Sequence, residues 1–182
     1  ELGVVTVEPG VTQAMLAEYL DREGHDYLVP VTGAGPSCSL LANALERGYG
    51  VTPYTDHFAA VTDLEAVLAD GAIYRTALRE AGSEELARLF KWNLGPYSIG
   101  LFTQSGFGIV TRMSVWLMPA PEHFEAFFFV CKQEDGLAAI VDALRPLRLN
   151  GTLRSTIHIG NDYKVITATT RFPWSEQSAN GP

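Results

Sequence analysis

The most informative segment of the sequence is Asn43-Ala44-Leu45-Glu46-Arg47-Gly48-Tyr49-Gly50-Val51-Thr52-Pro53-Tyr54-Thr55-Asp56-His57-Phe58. It closes a longer region, residues 30–56, in which glycine and proline recur too often for a long helix or strand. Inside that region one apolar run, residues 40–45, predicts a short turn. Small residues let a backbone approach a ligand closely, which favours a functional loop. The alternative is a long surface connection, and composition alone leaves both interpretations open.

A strand and a helix precede this region. Residues 3–7 alternate and are rich in valine, as in a strand, and residues 8–10 break the pattern. Thr12 can cap a helix that ends at Gly24. The apolar residues of this helix recur at helical spacing and predict one face: Val11, Met15, Leu16, Tyr19 and Leu20.

More strands follow the region. Residues 64–68 and 72–76 flank Asp70-Gly71, which is a strong hairpin signal. Residues 83–91 predict a short helix capped by Ser83. Residues 108–117 predict a strand with one shared face: Ile109, Thr111, Met113, Val115 and Leu117.

A proline-rich linker, residues 119–121, separates two predicted domains, residues 1–119 and 120–182. In the second domain, one strand is predicted for residues 124–132 and another for residues 152–159. Between them lies a predicted helix that Pro146 limits at its C-terminal end. Four residues form its predicted apolar face: Leu137, Ile140, Val141 and Leu144. Strand, helix and strand suggest a second α+β unit.

Composition excludes several classes of protein. Of the 182 residues, 47% are hydrophobic and 19% charged, and the net charge is -8, so we expect neither disorder nor a nucleic-acid-binding surface. No apolar run approaches the ~20 residues of a membrane span. Cys38 and Cys131 are far apart, and the histidines show no paired spacing, so we expect no metal site and no disulfide framework. The chain opens without a methionine or a signal peptide, and we expect it to be part of a longer protein.

Two blocks of sequence carry a resemblance to a known family. Residues 43–58 match the pattern N-x-x-x-R-G-x-G-x-T-P-Y-x-D/E-H at nearly every fixed position. The second block runs through residues 95–119 and includes Gly-Pro-Tyr, Gly-Leu-Phe-Thr-Gln-Ser, Gly-Ile-Val-Thr and Trp-Leu-Met-Pro. Both resemble the vanillyl-alcohol oxidase / 4-cresol dehydrogenase flavoproteins. The resemblance implies an α+β fold: the second subdomain of a PCMH-type FAD-binding domain, with a mixed or antiparallel sheet and flanking helices, followed by the start of an α+β substrate (cap) domain.

The same resemblance implies FAD as cofactor and a set of residues near it. Backbone N–H groups of small-residue loops hold a pyrophosphate, and polar groups tune the ring. The implied cofactor-binding residues are Pro36, Ser37, Ser39, Asn43, Gly48, Gly50, Thr52, His57, Gly108, Ile109 and Val110. The last three are expected at the adenosine end through backbone contacts. His57 either faces the flavin or anchors Asp56 and its turn.

The family reaction is hydride transfer from the benzylic carbon of a 4-substituted phenol, held as phenolate, to the flavin through a quinone methide. Tyr54 is the predicted catalytic residue, and the alternative is a structural tyrosine. Residues 154–162 also fit members that act on such phenols. Oxidase-type members carry an acidic residue in the loop corresponding to residues 32–39, and none is present here. This favours a dehydrogenase or hydroxylase with a cytochrome c as electron acceptor.

Two other functions stay open from the sequence. One is an enzyme of the same fold that acts on a hydroxy acid, and the other is a non-catalytic α+β module that binds a partner. Half of an FAD-binding domain should also expose an apolar face that the other half covers. We therefore expect self-association into a homo-oligomer.

Overall fold

The computed structural model describes residues 2–50, 55–125, 128–131 and 136–169. Its strands are β1 (Val4–Val7), β2 (Tyr27–Leu28), β3 (Val61–Leu68), β4 (Ile73–Arg75), β5 (Gly108–Trp116) and β6 (Met118–Pro119). Its helices are α1 (Gln13–Arg22), α2 (Leu40–Leu45), α3 (Ala77–Glu80), α4 (Glu84–Leu89), α5 (Leu137–Leu149) and α6 (Asp162–Thr169). Short 3₁₀ helices span His57–Ala60 and Ser98–Phe102. The predicted α+β class is confirmed.

The main sheet is antiparallel, with strand order β1-β5-β3-β4. The predicted hairpin is confirmed, because β3 and β4 pair across a turn in which Gly71 has φ 83° and Asp70 Oδ1 accepts from the Ala72 N–H at 2.9 Å. β3 starts at Val61, earlier than predicted. A second, two-stranded sheet pairs β2 with β6, so Pro119 of the predicted linker belongs to a strand.

The predicted shared face of β5 is confirmed for Met113, Val115 and Leu117 and is wrong for Ile109 and Thr111. Met113 is fully buried, whereas Ile109 is 74% exposed and Val110 is buried in its place. The pairing passes from Glu65–Arg112 to Ala66–Val110 and leaves Thr111 as an extra residue. Such a bulge reverses the side-chain alternation. Val110 therefore faces the core before the bulge, and Met113 and Val115 face it after the bulge.

α1 forms as predicted at both ends. The Thr12 side chain accepts from the Met15 N–H at 3.2 Å, and Gly24 has φ 67°. The predicted face is only half buried, since Leu16 and Leu20 are in the core while Met15 and Tyr19 are largely exposed. The polar residue Gln13 completes the buried row instead. An apolar pattern could not have revealed that position.

α3 and α4 cover part of β3 and are held there by charge. Arg79 Nε donates to Asp63 Oδ2 at 2.9 Å, and Thr76 Oγ1 donates to Asp63 Oδ1 at 2.6 Å. Arg79 also donates to Glu84 Oε1 at 2.9 Å. Ser83, the predicted cap of α4, makes no capping hydrogen bond through its side chain. The ion pair between Arg79 and Asp63, and not a Ser83 cap, therefore holds this part of the chain against β3.

The second unit departs most from the predictions. The described parts of residues 124–132 and 152–159 form no strand. A strand needs a neighbour to satisfy its backbone, and no described segment pairs with either stretch. α5 continues through Pro146 to Leu149, and the Asn150 N–H donates to the Pro146 carbonyl at 3.0 Å. The boundary between residues 119 and 120 stays a prediction. Within the described residues, no helix has the length and apolarity that crossing a membrane requires.

Candidate functional site

The two sequence blocks of the predicted site lie against each other. Arg47, with φ 54°, donates through Nε and Nη2 to Thr103 Oγ1 at 3.2 and 3.0 Å. The Gln104 N–H donates to the Leu45 carbonyl at 3.0 Å, and its side chain donates to the Glu46 carbonyl at 3.1 Å. The second block therefore holds the C-terminal end of α2, where the glycines of the first block begin.

Those glycines are explained by contacts inside the motif. A Cβ atom on Gly48 would overlap the Asn43 side chain, and one on Gly50 would overlap the Val31 carbonyl. The Asn43 side-chain amide also contacts His57 Nδ1. Asn43, Gly48, Gly50 and His57 thus form one interlocked unit, in which the Val31 carbonyl requires glycine at position 50 and Gly48 leaves room for the Asn43 side chain.

His57 lies beneath the motif and not on its surface. The residue is 2% exposed and lines a small internal cavity with Leu40 and Val115. Burial lowers the pKa of His57, and the nearby charge of Asp56 opposes this effect. Nε2 has no hydrogen-bond partner within the described residues. The geometry supports the anchoring role, and contact with the flavin stays a prediction.

Pro36, Ser37 and Ser39 lie on one loop, residues 31–39, which we call the cofactor loop because the family resemblance predicts that it contacts FAD. The Pro36 carbonyl accepts from the Ala14 N–H at 2.9 Å, so the loop covers the start of α1. Ser39 caps α2, because its Oγ accepts from the Ala42 N–H at 3.3 Å. Ser37 is exposed between them.

Gly108, Ile109 and Val110 begin β5 at an open edge. β1 pairs with Met113–Trp116, so within the described chain no strand covers the same edge of residues 108–112. A Cβ atom on Gly108 would lie 2.9 Å from the Val67 carbonyl and 3.1 Å from the Phe102 ring, which accounts for the glycine. The open edge leaves backbone groups for the contacts predicted there.

Tyr54 and Thr52 lie outside the described residues, so their predicted roles stay predictions. The chain on either side is well fixed. The Gly50 N–H donates to the Thr55 carbonyl at 3.0 Å, and the His57 N–H donates to the Gly48 carbonyl at 3.0 Å. Asp56 Oδ1 caps the following 3₁₀ helix by accepting from the Phe58 and Ala59 N–H groups.

Two residues close to Asp56 and its 3₁₀ helix, Lys91 and Tyr97, were not among the predicted site residues. Lys91 donates to the Ala59 carbonyl, and its Nζ lies 5.9 and 5.8 Å from the ring centroids of Trp92 and Tyr97. Burial lowers the pKa of Lys91, against the effect of Asp56, and raises the pKa of Tyr97 to about 12, with Asp56 acting in the same direction. Tyr97 belongs to the second block, so the resemblance could have singled it out. Lys91 belongs to neither sequence block, so nothing in the sequence marked it as a site residue.

The segment predicted to serve phenol recognition lies close to the motif. The rings of Tyr49 and His158 stack with centroids 5.9 Å apart and an interplanar angle of 14°. This contact places His158, within residues 154–162, beside Tyr49 of the first sequence block, residues 43–58, which we call the glycine motif. No group of three or more His, Cys, Asp or Glu residues in the described chain could hold a metal ion, and both cysteines are free.

Comparison with known proteins relates the chain to a family and to a fold. Residues 1–77 match the family described as FAD binding domain. The chain is 37% identical to 1'-carboxy-chondrochloren decarboxylase of Chondromyces crocatus over 182 residues, which are 100% of this chain and 34% of that protein. It is 35% identical to the 4-cresol dehydrogenase (hydroxylating) flavoprotein subunit of Pseudomonas putida over 161 residues, 88% of this chain and 31% of that protein. The crystal structure of p-cresol methylhydroxylase with substrate bound superposes with a TM-score of 0.82 at 36% identity, covering 86% of this chain and 30% of that one.

Fold and sequence together define a flavoprotein with a PCMH-type FAD-binding domain, whose cofactor is FAD. Within that class, the chain is similar to the 4-cresol dehydrogenase flavoprotein subunit and to p-cresol methylhydroxylase. The chain spans about a third of the length of the curated relatives it matches.

The residues present fit this cofactor. The backbone N–H groups of Gly33, Gly35 and Ser37 make no hydrogen bond to any described residue. A Cβ atom on Gly33 would meet nothing within 4 Å, so no contact inside the chain requires glycine there. Unpaired N–H groups on an exposed, small-residue loop suit the oxygens of a flavin ring or a pyrophosphate.

Proposed function

We propose that the protein containing this chain is an FAD-dependent oxidoreductase that oxidises 4-substituted phenols at the benzylic carbon. The observation that carries the proposal is the structural likeness to substrate-bound p-cresol methylhydroxylase, which extends over most of the chain. The contact between Arg47 and Thr103 supports it, because it joins the two blocks on which the family resemblance rests.

The bound flavin would accept a hydride, and the protein's part is to hold and polarise the phenol. A phenolate pushes electron density toward the benzylic C–H bond, and loss of the hydride leaves a quinone methide to which water can add. Stabilising the phenolate oxygen is the main electrostatic task. We assign this to Tyr54, since the fixed ends of its segment at Gly50 and Thr55 provide a rigid base.

We further propose a dehydrogenase or hydroxylase that transfers electrons to a cytochrome c. The cofactor loop carries Ala34 and other uncharged residues at all positions from 32 to 39. No carboxylate from that loop is therefore available beside the flavin. The relative from Pseudomonas putida is named as a flavoprotein subunit, which is consistent with a separate electron-accepting partner.

The test uses the full-length protein with 4-cresol, comparing cytochrome c reduction with hydrogen peroxide formation in air. We expect rapid cytochrome reduction and little peroxide. Tyr54→Phe should lower kcat by about 10²-fold or more, the loss typical of one donor to a developing oxyanion. Tyr49→Phe is the matched control, because Tyr49 is an exposed tyrosine of the same motif and phenylalanine keeps its ring stacking. Stoichiometric peroxide would contradict the choice of acceptor, and equal effects of both variants would contradict the role of Tyr54.

A second reaction is favoured by the relative that matches the whole chain, which is named as a decarboxylase. If a substrate carries a carboxylate on the carbon next to the benzylic one, the same quinone methide can lose CO₂. The C–C bond then breaks, its electron pair restores the aromatic phenolate, and an alkene replaces the alcohol. Measuring CO₂ and alkene against alcohol, with 3-(4-hydroxyphenyl)propionate and 4-ethylphenol as substrates, separates the two reactions.

A further inference from the structure

α1 buries a polar side chain where an apolar one would pack as well. Gln13 is 5% exposed and lies in the same row as Leu16 and Leu20. A buried amide is unfavourable unless both of its ends are hydrogen bonded. Methionine would fill a similar volume without that requirement. Packing of α1 therefore does not account for glutamine at this position.

Gln13 instead joins two points of the cofactor loop. Its Oε1 accepts from the Thr32 N–H at 2.9 Å, and its Nε2 donates to the Gly35 carbonyl at 2.9 Å. Its backbone N–H donates to the Cys38 carbonyl at 3.0 Å. With the bond from Ala14 to Pro36, three loop carbonyls are turned toward α1. The start of the helix is thereby occupied by the protein's own oxygens.

Turning those carbonyls inward leaves loop N–H groups for a ligand. Two loop N–H groups are bonded within the loop itself. The Ala34 N–H donates to Thr32 Oγ1 at 3.1 Å, and the Cys38 N–H donates to the Gly35 carbonyl at 3.1 Å. The N–H groups of Gly33, Gly35 and Ser37 have no hydrogen-bond partner in the part of the chain that the structure describes. They alternate with the groups that hold the loop in place.

We propose that Gln13 is a positioning residue for FAD: by holding Thr32 and Gly35 it keeps the loop N–H groups directed at the cofactor's oxygens. The inference rests on the proposed function only for the binding of FAD, not for the reaction. A primary amide suits this role because it offers an acceptor and a donor at one end of a single side chain. Glutamate would keep the acceptor, lose the donor and place a negative charge under a loop that receives an anionic cofactor.

The experiment measures the Kd of FAD for the full-length apoprotein by quenching of flavin fluorescence. Gln13→Met should raise the Kd at least about tenfold, the equivalent of one to two lost hydrogen bonds. Gln13→Glu should raise it further, because it loses the donor to Gly35 and adds a buried negative charge near the anionic cofactor. Glu18→Met is the matched control on the exposed side of the same helix and should stay within about twofold of wild type.

Gly33→Ala tests the loop without threatening the fold. The added methyl meets nothing within 4 Å, so the apoprotein should unfold at the wild-type temperature while FAD binds more weakly. Wild-type Kd values in both Gln13→Met and Gly33→Ala would overturn the inference. If Gln13→Met does not fold, Gly33→Ala decides whether the loop contacts FAD, and Gln13→Glu decides whether Gln13 acts through it. A wild-type protein that binds FAD but oxidises no phenol would refute the proposed reaction and leave these measurements valid.

Discussion

Replacing Arg79 with methionine should destabilise the protein strongly, because it leaves a buried carboxylate without its partner. The side chain of Asp63 is 1% exposed and that of Arg79 is 7% exposed. Removing one member of a buried ion pair costs about 3–5 kcal/mol, since the remaining charge stays desolvated. Thr76 still donates to Asp63 Oδ1 at 2.6 Å, so we expect the lower part of that range, about 3–4 kcal/mol.

The assay is urea unfolding of the full-length protein at pH 7, followed by tryptophan fluorescence. Arg22→Met is the matched control, because Arg22 pairs with Glu23 at 2.9 Å while its side chain is 68% exposed. Exposed pairs contribute about 0–1 kcal/mol, so this variant should unfold close to wild type. A second variant, Asp63→Asn with Arg79→Met, removes the unpaired charge and should recover part of the loss. Equal, small effects of Arg79→Met and Arg22→Met would show that the buried pair contributes no more than an exposed one.

Two further predictions concern the glycine motif. Because burial lowers the pKa of His57 below its usual 6.5, the unfolded state binds more protons in acid, so the free energy of unfolding should fall as the pH drops below about 6.5. Urea titrations at pH 7 and pH 5.5 should show a smaller fall in His57→Gln; an unchanged difference would contradict the assignment. Gly50→Ala should cost about 1–3 kcal/mol or more, because its Cβ overlaps the Val31 carbonyl. Gly33→Ala is its control in the same unfolding assay, and equal effects would show that packing does not require Gly50.

Local signals in the sequence were sufficient for the ends of α1 and for the hairpin turn. Thr12, Gly24 and Asp70-Gly71 specify their ends and turns through the few residues beside them, and the structure forms each one. The face of β5 was not predictable, because the bulge at Thr111 depends on its pairing with β3, more than forty residues away in the chain. The buried role of Gln13 was hidden for the same reason, since its partners lie in the cofactor loop.

The second unit shows where periodicity misleads. Residues 124–132 have the composition of a strand, yet Phe128 is 94% exposed and the described part is not extended against a neighbour. Hydrophobicity predicts that such a stretch will be covered, but not by which segment. A helix such as α5 satisfies its own backbone, which is why it could be predicted and the flanking strands could not.

The glycine motif shows how ligand contacts can be separated from internal packing. Gly48 and Gly50 belong to a family pattern, but their contacts with the Asn43 side chain and the Val31 carbonyl already account for both glycines. Their presence says little about where FAD lies. Gly33 has no such explanation inside the chain, and its N–H has no protein partner in the described region. We therefore expect contacts with FAD at residues whose type is not explained by contacts within the protein, such as Gly33. That criterion selects the loop held by Gln13 over the more recognisable motif beside it.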